Sequence, residues 1–321
     1  MAMSDKLKQN LRLPAIAAPM FLISGPEMVI AACKAGVIGC FPAPNARTID
    51  VLDDWLHTIN TELADDPNAA GYAVNLVVHR SNQRLDADMA AVLKHKPPLV
   101  ITALGSPREV VDQIHSYGGL VFADVNSLRF ARKAAESGVD GLVLVAAGAG
   151  GHTGAVSGFA FVEEVRRFWS GPLVLGGAIS TGRGVRAAEV LGADFAYLGS
   201  ALIPCTESMA PPAYKEMVVA AGAEDIVQSK GITGVAANWL RQSLVNAGYD
   251  PDNMPKDKKI DFSNAQDDAK AWKNVWSAGQ GVGAVASIAP MADIIDRICA
   301  EYDEAVAMAD FRSDVRPDTR R

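Results

Sequence analysis

The chain has 321 residues, 49% hydrophobic and 21% charged, with a formal net charge of −7. That balance supports one large α/β domain or two smaller ones with ample core. It excludes a nucleic-acid surface, which needs a basic stripe, so no nucleic-acid partner is expected. The cysteines Cys33, Cys40, Cys205 and Cys299 are scattered with no C-x-x-C pair. They form neither a disulfide framework nor a zinc site, and they fit a reducing compartment. Residues 1–11 hold no apolar leader-like stretch, and no run approaches the roughly 18 apolar residues that span a membrane. The expected compartment is the cytoplasm, with no membrane partner.

Short apolar runs alternate with amphipathic ones. The strands expected are Ala15–Ala18, Val37–Cys40, Tyr72–Val77, Leu99–Thr102, Leu120–Ala123, Leu142–Ala146, Leu173–Gly176 and Phe195–Leu198. Several are apolar without alternation, as strands buried on both faces should be. Between them the pattern predicts helices over Pro26–Ala35, Val51–Leu63, Leu85–Lys94, Pro107–Tyr117, Ser127–Ser137 and Gly184–Leu191. Ser24 or Gly25 would cap the first, with Pro26 opening it. Gly36, Gly118, Gly138 and Gly192 each stand where a helix ends before a strand, the position that favours a left-handed residue. Gly138-Val139-Asp140 and Gly192-Ala193-Asp194 are near copies in equivalent places. Eight strand–helix units in about 200 residues predict an α/β fold, a (β/α)8 TIM barrel. An open doubly wound sheet is the alternative, but it would carry its glycine-rich turn after the first strand.

After Ser200 the alternation stops. Ala213–Ala221 reads as a helix, and 246–264 as an exposed polar loop. Asp267–Trp276 and Pro290–Met308 read as helices. Residues 1–200 are therefore expected to form the barrel. Residues 201–285 would be a smaller helical domain over its mouth, and 286–310 a last helix returning to the barrel wall. Residues 311–321 are expected to be a frayed tail.

Loops that follow barrel strands share one face, where a site is built. They carry Ala18, Pro19 and Met20 after the first strand, Asn75 and His79 at the third, Asp124 and Asn126 at the fifth. Gly148–Gly154 follows the sixth and reads GAGGHTG. Its glycines bring bare backbone N–H groups near a ligand, with His152 as the one ionisable group among them. Such a loop is either a flexible surface connection or a pocket wall in which His152 moves a proton or hydrogen-bonds a substrate. Gly176-Gly177 and Gly199-Ser200, after the last two strands, can wrap a phosphate or can be tight turns. His57, His95 and His115 fall on helices and read as surface. No pair of His or Cys stands at metal-ligand spacing on a helix face, so no metal is expected. No P-loop or nucleophile-elbow motif occurs. Trp276–Gly283, with glycines at 279, 281 and 283, reads either as a pocket roof that contacts ligand through Ser277 and Gln280, or as a helix end and turn.

Together, Ala149-Gly150-Gly151-His152-Thr153-Gly154, Gly176-Gly177-Ala178-Ile179 with Gly182-Arg183-Gly184, and Leu191–Asp194 leading to Leu198-Gly199-Ser200 resemble the nitronate monooxygenase (2-nitropropane dioxygenase) family. Ala18-Pro19-Met20, Asn75 and Trp276-Ser277-Ala278-Gly279 fit the same resemblance, which spans nearly the whole chain. It implies FMN across the barrel mouth, held by Ala18, Pro19, Met20, Asn75, Asp124, Gly150, Gly151, Gly176, Gly177, Gly199, Ser200 and Gln280. His152 would act on substrate near the flavin, with Ser277 beside it. The implied reaction is oxidation of alkyl nitronates or nitroalkanes with O2 to carbonyl compounds and nitrite. FMN-dependent enoyl-thioester reductases and NAD(P)H:quinone reductases share these motifs, so reduction with NAD(P)H as co-substrate is the alternative. A flavin-binding protein without turnover is the third. Some relatives carry a lysine where this chain has Asp124, and an anion there would change the flavin's preferred partners.

Overall fold

The computed structural model describes residues 7–256 and 275–308. The expected helix over Asp267–Trp276 lies mostly outside these residues, and the tail 311–321 wholly so. The barrel strands are β1 Ala15–Ala17, β2 Gly39–Pro42, β3 Tyr72–Val77, β4 Leu99–Ala103, β5 Leu120–Val125, β6 Gly141–Val145, β8 Leu173–Gly176 and β9 Phe195–Leu198. A two-residue strand, β7 Gly151–His152, stands apart from them. The eight are parallel in the order β1-β9-β8-β6-β5-β4-β3-β2. A parallel bridge between Ile16 and Ile38 closes the ring. Its bonds run from Ala17 N–H to Ile38 O at 2.8 Å and from Ile38 N–H to Ala15 O at 3.1 Å. The fold is a TIM barrel, and β2 pairs with β3 from Gly39, two residues after its apolar run begins, while Ile38 makes the closing bridge to β1.

The unbroken apolar runs are explained by strand parity, which sends alternate residues to opposite faces. Ile16, Cys40, Ala73, Ile101, Phe122, Val143, Val174 and Phe195 point inward and form one buried cluster. Their neighbours Val74, Val100, Val121, Leu142, Leu144 and Leu173 point outward and pack under the helices. A polar residue on either face would be buried. Thr48, Ser127, Ser157 and Thr181 cap their helices by accepting from the N–H three residues on. The first helix, Pro26–Lys34, is capped by Gly25 without a side-chain bond. Ser24 instead accepts from the Met20 N–H. Gly36, Gly118, Gly138 and Gly192 all have positive φ. The near-copied aspartates do the same work: Asp140 Oδ2 accepts from Val121 N–H and Asp194 Oδ2 from Leu173 N–H. Each fixes the start of the neighbouring strand.

The segment after β9 is more than the helices expected of it. It holds a helix, Pro212–Ala220, but also the antiparallel strands β10 Ile226–Ser229 and β11 Ala237–Leu240. Trp239 is buried at their centre with Ile232, Leu244 and Val275. The glycines at 231 and 234 are the turn of this hairpin. The last helix, Met291–Ala307, packs on the helices Gly182–Leu191 and Pro26–Lys34. Gly182 lets that contact form, because a Cβ there would run into the backbone at Ile298, Glu301 and Tyr302. Its N–H donates to Glu301 Oε2 at 2.8 Å. No described helix is long and apolar enough to cross a membrane.

Gly182→Ala should therefore force the two helices apart and cost about 1–3 kcal/mol, as overpacking does. The check is a thermal melt, which should show a lowered Tm. An unchanged Tm would mean that the last helix yields without loss.

Candidate active site

Inward parity continues to the strand C-terminal ends and builds the floor of one large cavity, about 1380 Å³ in volume. That exceeds the ~300–1,000 Å³ usual for a single small ligand. Following Ile16, Ala73, Phe122, Val174 and Phe195, the next inward residues are Ala18, Asn75, Asp124, Gly176 and Tyr197, and all line it. Asn75 is tied down by its side-chain N–H₂, which donates to Ile101 O at 3.1 Å. Gly176 is small where Tyr197 is large: a Cβ at 176 would stand 3.1 Å from the Tyr197 Cβ.

The wall after β1 is shaped by a residue from elsewhere. Asn45, buried behind β2, accepts from Leu22 N–H at 2.8 Å and donates to Met20 O and Ser24 O. It holds the turn that presents Ala18, Pro19 and Met20 to the cavity. Asn45 stands in the turn Ala43–Asn45 directly after β2, a barrel-mouth loop from which the sequence reading drew no site residue.

The glycine loop after β6 is no flexible connection. Its residues Gly151 and His152 pair with Asn238 and Ala237 of β11, and Asn238 donates from its side chain to Ala149 O at 2.7 Å. Thr153 N–H donates to Ala236 O. Opposite, the segment Ala278–Gly281 lies on the loop backbone to backbone. A Cβ at Gly150 would stand 2.8 Å from Gly279 N, and one at Gly279 would stand 2.6 Å from Gly148 O. Ser200 Oγ accepts from Gly279 N–H at 2.7 Å. Trp276 stacks on Tyr214 with ring centroids 4.9 Å apart, and the Tyr214 hydroxyl donates to Ser277 O. Trp276, Ser277, Ala278, Gly279 and Gly281 all line the cavity, so this stretch is both roof and packing element.

All the sequence-derived site residues but one reach the cavity: Ala18, Pro19, Met20, Asn75, Asp124, Gly150, Gly151, His152, Gly176, Gly177, Gly199, Ser200 and Ser277 line it. Gln280 does not. Its side chain is exposed, and its backbone N–H is what holds the site, donating to Gly148 O at 2.9 Å. His79 lines the cavity, whereas His57, His95 and His115 do not. Sequence reading missed Tyr197, Tyr214 and Ser180, and the cations Arg47, Arg108 and Lys133 at the rim. Tyr197 was within reach, since it follows Phe195 at the inward spacing. Arg47, Arg108 and Lys133 make no ion pair among the described residues.

Burial sets the protonation states. It pulls the His152 imidazole down to about 4, below the near-neutral value its residue type suggests, so His152 is uncharged at neutral pH. It pushes the Asp124 carboxyl up to about 7, so the simple anion expected there is not what the fold favours. The Tyr197 phenol is raised well above its ordinary range, chiefly by burial. A neutral imidazole in a glycine-backed cavity can accept a proton or hydrogen-bond an oxyanion. The bare loops at Gly176-Gly177 and Gly199-Ser200 offer an anion backbone contact without side-chain obstruction.

The chain matches a protein-family profile described as nitronate monooxygenase over residues 3–301. It is 31% identical over 271 residues to a candidate monooxygenase of Mycobacterium tuberculosis, covering 79% of this chain and 72% of that one. It is 26% identical over 241 residues to a carboxyl-CoA dehydrogenase of Rhodococcus jostii, covering 75% of this chain and 66% of that one. The structure of nitroalkane oxidase from Streptomyces ansochromogenes superposes with a TM-score of 0.80 at 22% identity, covering 94% of this chain and 99% of that one. This last likeness is one of fold.

Because Gly279 and Gly150 meet backbone to backbone, Gly279→Ala should push the roof off the glycine loop. Turnover should fall by up to about 10²-fold, the scale of a misplacement near 1 Å, while far-UV circular dichroism keeps its barrel signature. Full activity in the variant would show that the close approach is dispensable.

Proposed function

The chain belongs to the nitronate monooxygenase family and is an oxidoreductase of the monooxygenase class, and we propose that it oxidises alkyl nitronates or nitroalkanes with O2 to carbonyl compounds and nitrite, with FMN as cofactor. The observation that carries the reading is His152. It is pinned by strand pairing at the edge of the cavity and kept uncharged by burial.

The residues fit FMN. Gly177 takes a positive φ of 138°, and a Cβ there would stand 2.8 Å from Ala147 O, so the loop after β8 is open backbone by necessity. With Gly176, Gly199 and Ser200 it would hold the phosphate. Ala18, Pro19, Met20, Asn75, Asp124, Gly150 and Gly151 would hold the ring system. When bound, FMN supplies a two-electron acceptor that also reacts with O2. The protein's part is to bind, orient and handle the proton. His152 takes the α-proton of a neutral nitroalkane, or hydrogen-bonds the nitro oxygens of a nitronate that has already lost it. The apolar face of Trp276 and the backbone of Ala278 and Gly279 keep water from above. Gln280 contributes through its backbone bond to Gly148, not through a ligand contact.

A second reading, NAD(P)H-dependent reduction of a quinone or enoyl thioester, is favoured by the rim. Arg47, Arg108 and Lys133 surround the mouth on a chain of net charge −7, and such cations suit the phosphates of a nucleotide-bearing molecule. A relative named as a carboxyl-CoA dehydrogenase supports the same direction. Oxygen uptake with propionate 3-nitronate, set beside oxidation of NADH and NADPH, separates the two. Nitronate-dependent oxygen uptake without pyridine-nucleotide consumption supports the first reading, and the reverse pattern supports the second. Release of FAD rather than FMN from the purified protein would overturn the cofactor assignment.

His152→Ala should lower turnover of a neutral nitroalkane by about 10²–10⁴-fold and turnover of the preformed nitronate much less. Equal losses on both would turn His152 into a binding group. The pH profile gives a second check. His152 must be unprotonated to act as a base, and its value near 4 lies below the ordinary ~6.5. kcat/KM for the nitroalkane should therefore hold through pH 6 and fall only as pH drops toward 4. An acid limb at 6.5 would place the imidazole in water.

A further inference from the structure

Asp124, the penultimate residue of β5, faces inward and lines the cavity floor. Its Oδ1 is shielded from solvent and makes no hydrogen bond among the described residues. Buried polar atoms are nearly always paired, so an unpaired one needs a reason. The residue as a whole is only half-buried, so Oδ2 is the oxygen it presents to a ligand.

Nothing around this carboxyl favours a negative charge. The flanking strands β4 and β6 carry no ionisable residue. From β2 and β9 the groups that face it are Cys40, which is buried, and Tyr197, half-buried with its hydroxyl shielded, and both are held well above their ordinary pKa. Neither is charged at neutral pH, and the Tyr197 hydroxyl makes no hydrogen bond among the described residues either. His152, over the cavity, is uncharged, and His79 stands farther along the wall. Arg47, Arg108 and Lys133, with the acid Glu136, are exposed at the rim, and none of them pairs with Asp124. A carboxylate here would lose its hydration and gain no counter-ion.

We propose that Asp124 works as a neutral carboxylic acid on the cavity floor and donates a hydrogen bond from Oδ2 to an acceptor atom on the ring system of the bound flavin. The inference rests on the FMN reading. A donor made this way differs from a fixed cation because it can be switched off by pH. Burial places the carboxyl near 7, so the donor is present in mildly acidic solution and is lost as pH rises. Losing it also sets a buried anion against the electron-rich edge of the ring. FMN affinity should therefore be level below about pH 7 and weaken above it.

The test is the dissociation constant of FMN, read from free-flavin fluorescence on dilution of the holoprotein between pH 5.5 and 9. For the wild type it should rise above about pH 7 by up to tenfold per pH unit, the limit for one linked proton. Asp124→Asn keeps a donor that cannot ionise, so its profile should lack that rise. The flavin's own groups titrate alike with both proteins, so the difference between profiles belongs to residue 124. A wild-type profile with no rise between pH 7 and 9, or one that tightens there, would overturn the proposal. So would the same rise in Asp124→Asn. If the variant does not fold, the wild-type profile decides alone. A protein that binds no FMN at any pH would overturn the cofactor assignment and this inference with it, an outcome distinct from tight binding that ignores pH.

Discussion

The site depends on one close approach of three backbones. Gly148–Gly151 leaves the barrel after β6, Ala278–Gly281 crosses over it, and β11 pairs along its edge. No side chain fits between the first two, which is why glycine stands at 150 and at 279. The contact fixes His152 relative to the floor, because its own backbone is a strand residue with a partner at Ala237. It also fixes the roof, because Gln280 N–H and Ser200 Oγ complete the same junction. A barrel alone would present His152 on a mobile loop. The cap alone would have nothing to close on.

A second constraint is electrostatic. The floor lies directly on the apolar, packed barrel interior, so charge there is poorly solvated. Two groups of opposite kind respond in the same direction, toward neutrality. His152 gives up its proton and Asp124 keeps one. In mildly acidic solution, below the Asp124 value near 7, the result is a proton acceptor and a proton donor that coexist without forming an ion pair. Groups whose environments push their pKa values apart are how one site holds acid and base functions together. Here the common cause is burial, which strand parity produces for Asp124 and the pairing of the glycine loop with β11 produces for His152.

Much of this was legible in the chain. Each of the eight strand runs marks a barrel strand, because residues buried on both faces leave an unbroken apolar signal. The closing glycines were legible as well, since positive φ selects glycine at a helix end. What parity carries, such as Tyr197 two residues after Phe195, could have been found by counting. Other features left no such trace. β7 is Gly-His, two residues with no strand propensity, and its partner lies 85 positions away at Ala237. The role of Asn45 is a tertiary one, bonding a turn over twenty residues earlier. Gln280 misled because its neighbours line the cavity. Gln280 is itself exposed, with its side chain lying against Gly148, and its backbone N–H is the group that bonds the loop. A near-neutral histidine and a charged aspartate are what residue types alone suggest, and only burial reverses both.

The division of labour between floor and rim bears on how far the chemistry can be read from the fold. The floor is built by strand ends whose spacing the barrel dictates, and it is rigid. The rim is built by Arg47, Arg108 and Lys133 on exposed positions that no packing constrains. A rigid floor fixes what is held against it and how the proton moves. An exposed cationic rim selects among molecules by what hangs outside the cavity, and it can change without disturbing the barrel. Nitronates are small anions and satisfy the floor alone. A thioester or pyridine nucleotide would need both. The choice between the two readings therefore lies in whether the rim is used, so charge reversal at the rim should affect the two classes of substrate differently. Arg108→Glu should leave oxygen uptake with a small nitronate within about twofold, since exposed charges interact weakly. It should raise the KM of a phosphate-bearing co-substrate severalfold and more at low salt, where screening is weakest. Steady-state kinetics at two ionic strengths would measure both, and an equal effect on the two substrates would show that the rim does not discriminate between them.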